Sequence, residues 1–393
     1  MSEKYESSPT KDALVLSGGG ARAAYQVGCL RYIAHAMPAY RPQILTGVSA
    51  GAINAVHLAA HRGSWAEAVS TLSNLWLSLE TDRVYVTQLR SILRRVLSWG
   101  LRVMSGGRLG SKALQGMVDN APLRAFLKTA LPVNQGRIVG IEENIEAGLL
   151  EALAIITTNY GSGRSMAWVE GRGTQAWQRG QLHARDIQMS LDHIMASAAL
   201  PLFFPAVNLD SAWHGDGGVR LTAPLSPALH LGATRILAVS PRVEPVLSLP
   251  PALREPYPSP AQIAGVLLNA VFLDMLDYDA LQMSRINQLV THLPPEQRQG
   301  YRPVDVMVLR PREDLGMLAK AHQINMPPAF RFFEQGLDND EQRSADALSM
   351  VIFEPEYLAL LIRLGEEDTA ARHDEIEHFL RAGGAEAEHH QKL

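Results

Sequence analysis

In the stretch Ile44-Leu45-Thr46-Gly47-Val48-Ser49-Ala50-Gly51-Ala52-Ile53-Asn54, a β-prone apolar run meets a run of small helix formers, with a serine between two glycines at the join. This is the strand, sharp turn and helix context of a nucleophile elbow, G-x-S-x-G. The pattern alone is weak, and its surroundings strengthen it. Gly47 and Gly51 lack the side chains that would clash where a strand reverses into a helix, and Ala50, Ala52 and Ala55 let that helix lie close to its neighbours. Ser49 is the first candidate for a reactive atom.

Working outward, Asp12 to Ser17 contains Ala-Leu-Val-Leu, a run suited to a buried parallel strand, and it stops at Gly18-Gly19-Gly20. A helix pattern follows from Ala21 to Ala36, closed by Pro38. The strand Gln43 to Val48 enters the elbow, and a helix leaves it toward Arg62. This β-α-β-α opening predicts a parallel sheet with crossover helices. If the first two strands are neighbours, the glycine loop lies beside Ser49 at their carboxyl ends, where α/β sheets bind ligands.

The 393-residue chain, 47% hydrophobic and 19% charged, is long enough for one large α/β domain with appendages or for two domains. Its single cysteine, Cys29, excludes an internal disulfide framework and reads as a core residue. A net charge of −4 gives no reason to expect a nucleic-acid partner. The first residues, Met1 to Pro9, have no apolar core of a signal peptide, so a cytoplasmic location is expected. The uncharged run from Ile44 to His61 holds too many polar and small residues to read as a membrane span.

Residues 64–79 read as a helix. Between Arg83 and Val118 stand seven basic residues and no acidic one, with Leu89, Ile92, Leu93, Val96, Leu97 and Leu101 at helical spacing. Such a helix suits the surface of an anionic membrane, through 88–104, or packs its leucines on the core, and periodicity does not separate the two. Further on, Ala113 to Leu131 reads as a helix interrupted near Pro122, and Leu150–Asn159 and Ser165–Glu170 as strands joined by a hairpin-type loop. Asp186 to Ala199 reads as a helix, Arg235 to Ser240 as a strand, and Val243 to Pro260 as a Pro-rich linker. Beyond it come a helix from Ala261 to Leu293, a last strand at Val304–Leu309, helices, and an acid-rich tail from Glu366 to Glu388 expected to fray.

Three features call for a joint explanation: the tri-glycine loop, Ser49, and Asp216 between Gly215 and Gly217. Acyl transfer supplies one. A serine hydroxyl needs a base, and the negative oxygen of a tetrahedral intermediate needs preorganised donors. Consecutive glycines can turn several backbone N–H groups toward one point, and the following helix adds the positive end of its dipole.

With these residues in view, the chain resembles the patatin-like phospholipases. Gly18-Gly19-Gly20-Ala21-Arg22-Ala23 matches that family's glycine-rich loop, Gly47-Val48-Ser49-Ala50-Gly51 its elbow, and Asp216-Gly217-Gly218 its D-G-G/A motif. The block Ala196 to Pro205 is similar to the family's segment ahead of the aspartate. The resemblance implies a three-layer α/β/α fold with a mainly parallel central sheet and extra C-terminal helices. It implies an acyl-hydrolase domain over 11–245, with 83–118 as a basic insertion, and a helix-rich extension over 246–393 packed on the same core. It also implies a Ser49–Asp216 dyad, an oxyanion loop over Gly18, Gly19, Gly20, Ala21 and Arg22, a lipid ester as substrate, and no metal or cofactor. Phe203 and Phe204 are expected to line an acyl groove.

Alternatives stay open at this level. His214 shares a face with Asp216 if the segment is extended, and could be the base instead. Arg22 either contacts a lipid phosphate or pins the glycine loop. Ala23 stands where the family usually has glycine, which matters only if that position needs a positive φ. A dinucleotide site is disfavoured, since Met37 to Pro42 offers no acid for a ribose, and the loop lacks a P-loop ending. A neutral-lipid lipase or esterase on the same dyad and a catalytically silent membrane-binding protein are the rival functions.

Overall fold

The computed structural model describes residues 10–86, 116–243, 275–321 and 349–381, with a few positions between 94 and 106 and between 263 and 270. The buried run at β1 (Asp12–Leu16) pairs in parallel with β2 (Ile44–Val48) on one side and β11 (Arg235–Val239) on the other. β12 (Asp305–Leu309) extends the sheet beyond β11, and β5 (Ala152–Asn159) extends it beyond β2, all parallel. β6 (Arg164–Gly171) then turns back antiparallel to β5, followed by β8 (Leu182–Asp186) and the short β7 (Gln178–Arg179) at the edge. A separate two-stranded ladder joins β3 (Val133–Asn134) and β4 (Arg137–Ile138).

Alternation along β1 separates two cores. Leu14 and Leu16 face a layer built from α1 (Ala24–Ala36), α2 (Ala50–Ala60), α3 (Trp65–Leu77) and α11 (Pro355–Ala370). Ala13 and Val15 face the opposite layer, where α8 (Ser226–His230) and α9 (Met275–Thr291) contribute Leu225, Ala228, Leu276 and Met283. The result is a three-layer α/β/α architecture with a mostly parallel sheet, as expected.

β5 is longer than its neighbour, and this decides how distant parts of the chain meet. Its first half pairs with β2 as far as Val48↔Ile156. Its last three residues pair with β10 (Ala212–Asp216), antiparallel, with Asp216↔Thr157 and His214↔Asn159. β2 and β10 thus share one edge of β5 end to end, and β10 carries β9 (Val207–Leu209) as its own partner.

Several elements differ from the sequence reading. The helix expected over Asp186–Ala199 is shorter, because Leu182–Asp186 joins β6 as β8; α7 (Leu191–Ser197) begins after Ser190, whose N–H donates to His193 Nδ1 at 3.2 Å. Pro122 does not interrupt a helix but starts one, α5 (Ala121–Ala130), where its missing N–H costs nothing. The tail expected to fray is helical through α12 (His373–Arg381), tied down by Arg235 donating to the Phe379 carbonyl and Arg372 to the Val308 carbonyl, both at 3.0 Å. Most of 83–118 lies outside the described residues; Leu97, Leu101 and Met104 within it are exposed. No helix among the described residues is long and apolar enough to cross a membrane.

α11 lies against α1 through two glycines. A Cβ on Gly28 would stand 1.9 Å from the Ile362 carbonyl oxygen, and one on Gly365 2.2 Å from that of Tyr25. Cys29 sits in this seam, fully buried, its thiol pushed up to about 12 by burial. Gly28→Ala is therefore expected to force the helices apart and cost about 1–3 kcal/mol, read as a lower urea midpoint with an unchanged slope.

Candidate active site

Ser49 joins β2 to α2 at φ 56° and ψ −130°, a conformation that costs a non-glycine residue on the order of 1–3 kcal/mol. Its surroundings impose it. A Cβ on Gly47 would lie 2.5 Å from the Gly51 carbonyl oxygen, and one on Gly51 2.3 Å from that of Leu16, so both flanks must be glycine for the reversal to sit on β1. The Ser49 N–H donates to Ser197 Oγ at 3.0 Å, and the Ser197 hydroxyl in turn donates to the Ile156 carbonyl at 2.7 Å. Ser197 is fully buried and ties the elbow to β5.

The glycine loop closes over this turn. A Cβ on Gly18 would be 3.1 Å from Ser49 Cβ and 3.8 Å from its Oγ, which places the loop directly beside the hydroxyl. Gly19 and Gly20 adopt φ 151° and 58°, and the chain then enters the short turn Gly20–Ala23. Ala23 has φ −65°, so alanine in place of the usual glycine is harmless there. Ala21 departs from expectation: its N–H is given to the Met350 carbonyl at 2.8 Å and is not free for an incoming oxygen. Arg22 is buried rather than presented to a ligand, and its Nε donates to Ser349 Oγ at 2.8 Å. Of its two readings, this geometry is that of a pin on the loop.

Asp216 reaches the elbow through the shared edge of β5. Since Val48 pairs with Ile156 and Asp216 with Thr157, the residue after Val48 and the end of β10 meet across one step of the sheet. The Asp216 N–H donates to the Ala199 carbonyl at 2.9 Å, and Thr158 Oγ1 donates to the Asp216 carbonyl at 2.8 Å. Gly217 follows where a Cβ would stand 2.3 Å from the Ile156 carbonyl oxygen, and the Gly218 N–H donates to Asp216 Oδ1 at 2.9 Å. Asp216 Oδ2 is buried and makes no hydrogen bond. Burial pushes the Asp216 carboxyl up to about 7, against the opposing pull of the Ser49 hydroxyl and the Gly218 amide. A carboxyl so tuned can hold a proton or take one up near neutral pH.

His214 is close by but engaged. Asn159 Oδ1 accepts from the Ser162 N–H, which leaves its Nδ2 to donate to His214 Nε2 at 3.3 Å. Nδ1 then carries the ring proton toward Thr157 Oγ1, at 2.9 Å. Both nitrogens are spent on β5 side chains, and burial lowers the pKa of the ring. His214 therefore has both ring nitrogens engaged away from Ser49.

Ser49, Gly19 and Gly20 line one partly enclosed cavity. Its walls are apolar, among them Ile53, Trp76, Phe126, Leu200, Phe204 and Phe353. Phe204 lines it as expected; Phe203 instead packs edge-on against Tyr85, with ring centroids 5.2 Å apart. Met350, Val351 and Phe353 supply part of the wall; the sequence reading put them in a helical region, but here the chain is turn and extended segment ahead of α11. Among the described residues no cluster of His, Cys, Asp and Glu is placed to hold a metal ion.

A sequence model of the family described as patatin-like phospholipase matches residues 14–229, more than half of the chain. No curated protein matches the chain. In structure it is similar to VipD from Legionella pneumophila, at 14% identity over 94% of this chain and 68% of that chain, with a TM-score of 0.39. It is also similar to human GIVD cytosolic phospholipase A2 in complex with methyl gamma-linolenyl fluorophosphonate, at 12% identity over 95% of this chain, with a TM-score of 0.45. The chain spans 58% of the length of the latter.

The buried carboxyl has a thermodynamic signature. Its folded pKa lies above the ordinary Asp value, so between the two the folded state binds more protons, and stability falls as pH rises through that window. Asp216→Asn removes the cost of the buried charge. At pH 8 the variant is expected to be more stable than wild type by more than about 1.4 kcal/mol, the worth of one pKa unit. The gap should close as pH falls toward 4, followed by urea unfolding at each pH.

Proposed function

The chain belongs to the patatin-like phospholipase family, and from that premise we propose that it is a serine acyl hydrolase of lipids, cleaving carboxylic ester bonds of phospholipids or lysophospholipids. Family membership supports lipid hydrolysis; the Ser49–Asp216 dyad and the ester class are our reading. The observation that carries it is the unpartnered, buried Asp216 Oδ2 beside a strained serine at the mouth of an apolar cavity.

In this reading an acyl chain lies in the cavity with its ester carbonyl over Ser49. Ser49 Oγ attacks the carbonyl carbon as its proton passes to Asp216, and the resulting oxyanion is met by the Gly19 and Gly20 amides. Collapse of the intermediate breaks the ester C–O bond, and Asp216 returns the proton to the leaving alcohol. Water then attacks acyl–Ser49 with Asp216 again as base, releasing the fatty acid and regenerating the hydroxyl. Residues 11–245 supply this machinery, and from the region 246–393 Met350, Val351 and Phe353 line the cavity beside it. Peripheral membrane contact through 88–104 is part of the same proposal, supported by exposed Leu97, Leu101 and Met104 in a basic stretch.

Ser49→Ala is expected to lower fatty-acid release from lysophospholipid or diacyl phospholipid at least about a thousandfold. An alkyl fluorophosphonate should label wild type at Ser49 and leave the variant unlabelled. Wild-type release rates in folded Ser49→Ala would overturn the mechanism; faster turnover of triacylglycerol or short esters would move the substrate to neutral lipids or general esters.

The base must be ionised to accept a proton, so kcat/KM is expected to rise with pH through about 7 and level off above it. A profile flat from pH 5 to 8, measured with an uncharged p-nitrophenyl ester, would count against Asp216 as the base.

A further inference from the structure

Resting on that reading, we propose that Phe353, carried into the cavity on the segment 349–354, determines which acyl chains the Ser49 site accepts. The segment lies outside the region matched by the family model, so the assignment comes from this chain alone. It runs as a strap from the glycine loop to the α3–α4 corner, α4 being Thr81–Val84. At one end Ser349 Oγ accepts from Arg22 and the Met350 carbonyl from the Ala21 N–H. At the other the Val351 carbonyl accepts from the Tyr85 hydroxyl at 2.6 Å, the Phe353 N–H donates to Thr81 Oγ1 at 3.1 Å, and Thr81 donates to the Glu354 carboxylate at 2.8 Å.

The strap therefore has a fixed register. Met350 touches the loop beside Ser49, and Phe353, three residues on, stands at most about 10 Å further along. There its ring stacks on Trp76, with centroids 6.5 Å apart and planes 27° from parallel. Trp76 is anchored: its Nε1–H donates to Asn54 Oδ1 at 2.7 Å, and Asn54 donates to Gln26 at 2.9 Å, Asn54 and Gln26 both fully buried. Of the two stacked rings, Phe353 has no polar anchor on its side chain, so its size is the adjustable dimension of this part of the cavity. An acyl chain bound at Ser49 and passing along the strap meets that ring.

The test uses the full chain. For wild type, Phe353→Ala and Phe353→Trp, kcat/KM is measured on p-nitrophenyl esters from C4 to C16. Phe353→Ala is expected to raise the C16-to-C8 ratio about tenfold, and Phe353→Trp to lower it. A second readout works without catalysis: Ser49→Ala protein, with and without Phe353→Leu, is titrated with fatty acids of C8 to C18, following tryptophan fluorescence. The chain length bound most tightly should increase in the Phe353→Leu variant. Unchanged chain-length ratios in both measurements overturn the proposal. An inactive wild type whose fatty-acid preference still shifts with Phe353 would sink the hydrolase reading and leave the cavity assignment standing.

Discussion

The structure depends on one shared edge. β5 offers its first half to β2 and its last three residues to β10, and the two strands meet end to end along it. That junction sets where Ser49 and Asp216 sit relative to each other. It converts a separation of 167 residues between Ser49 and Asp216 into one step of sheet register. The step is held by hydrogen bonds on both sides, Ser197 on the Ser49 amide and the Ala199 carbonyl on the Asp216 amide. One short segment, Ser197 to Ala199, thus fixes the backbone of both residues.

The same junction is where the fold is least comfortable. Ser49 is held in a conformation that non-glycine residues avoid, and Asp216 is held where its charge is disfavoured. Both costs are local and set against a large apolar core on each face of the sheet. Strain and an unpaired buried oxygen thus meet at one point of the fold, the place where the proposed chemistry is set.

Much of this was legible in the sequence. The elbow, the glycine loop and the first two strands announce themselves, because buried parallel strands are unbroken apolar runs and their glycines are needed where backbones approach closely. The partner of Ser49 was visible only as a motif, Asp216-Gly217-Gly218. The strand carrying it, Ala212–Asp216, is five residues long, lacks clear alternation and pairs with a strand more than fifty residues earlier. Asp186 was misread for a related reason, since the end of β8 and the start of α7 are separated only by a short turn. His214 could not be resolved without knowing that Thr157 and Asn159 sit opposite it. Met350, Val351 and Phe353 fell in a stretch read as helical, and their place in the cavity is a purely tertiary fact.

The seating of α11 on α1 also bears on how the protein is made. Gly28 waits for a helix synthesised more than three hundred residues later, and the cavity lacks a wall until residues 349–354 arrive. A ribosome releasing the chain in order delivers the serine, the aspartate and the whole parallel sheet first. At that stage Ser49 and Asp216 stand beside an apolar trough that still lacks its Met350, Val351 and Phe353 wall. The last-made segment is therefore the one that completes both the α1–α11 seam and the wall of the cavity.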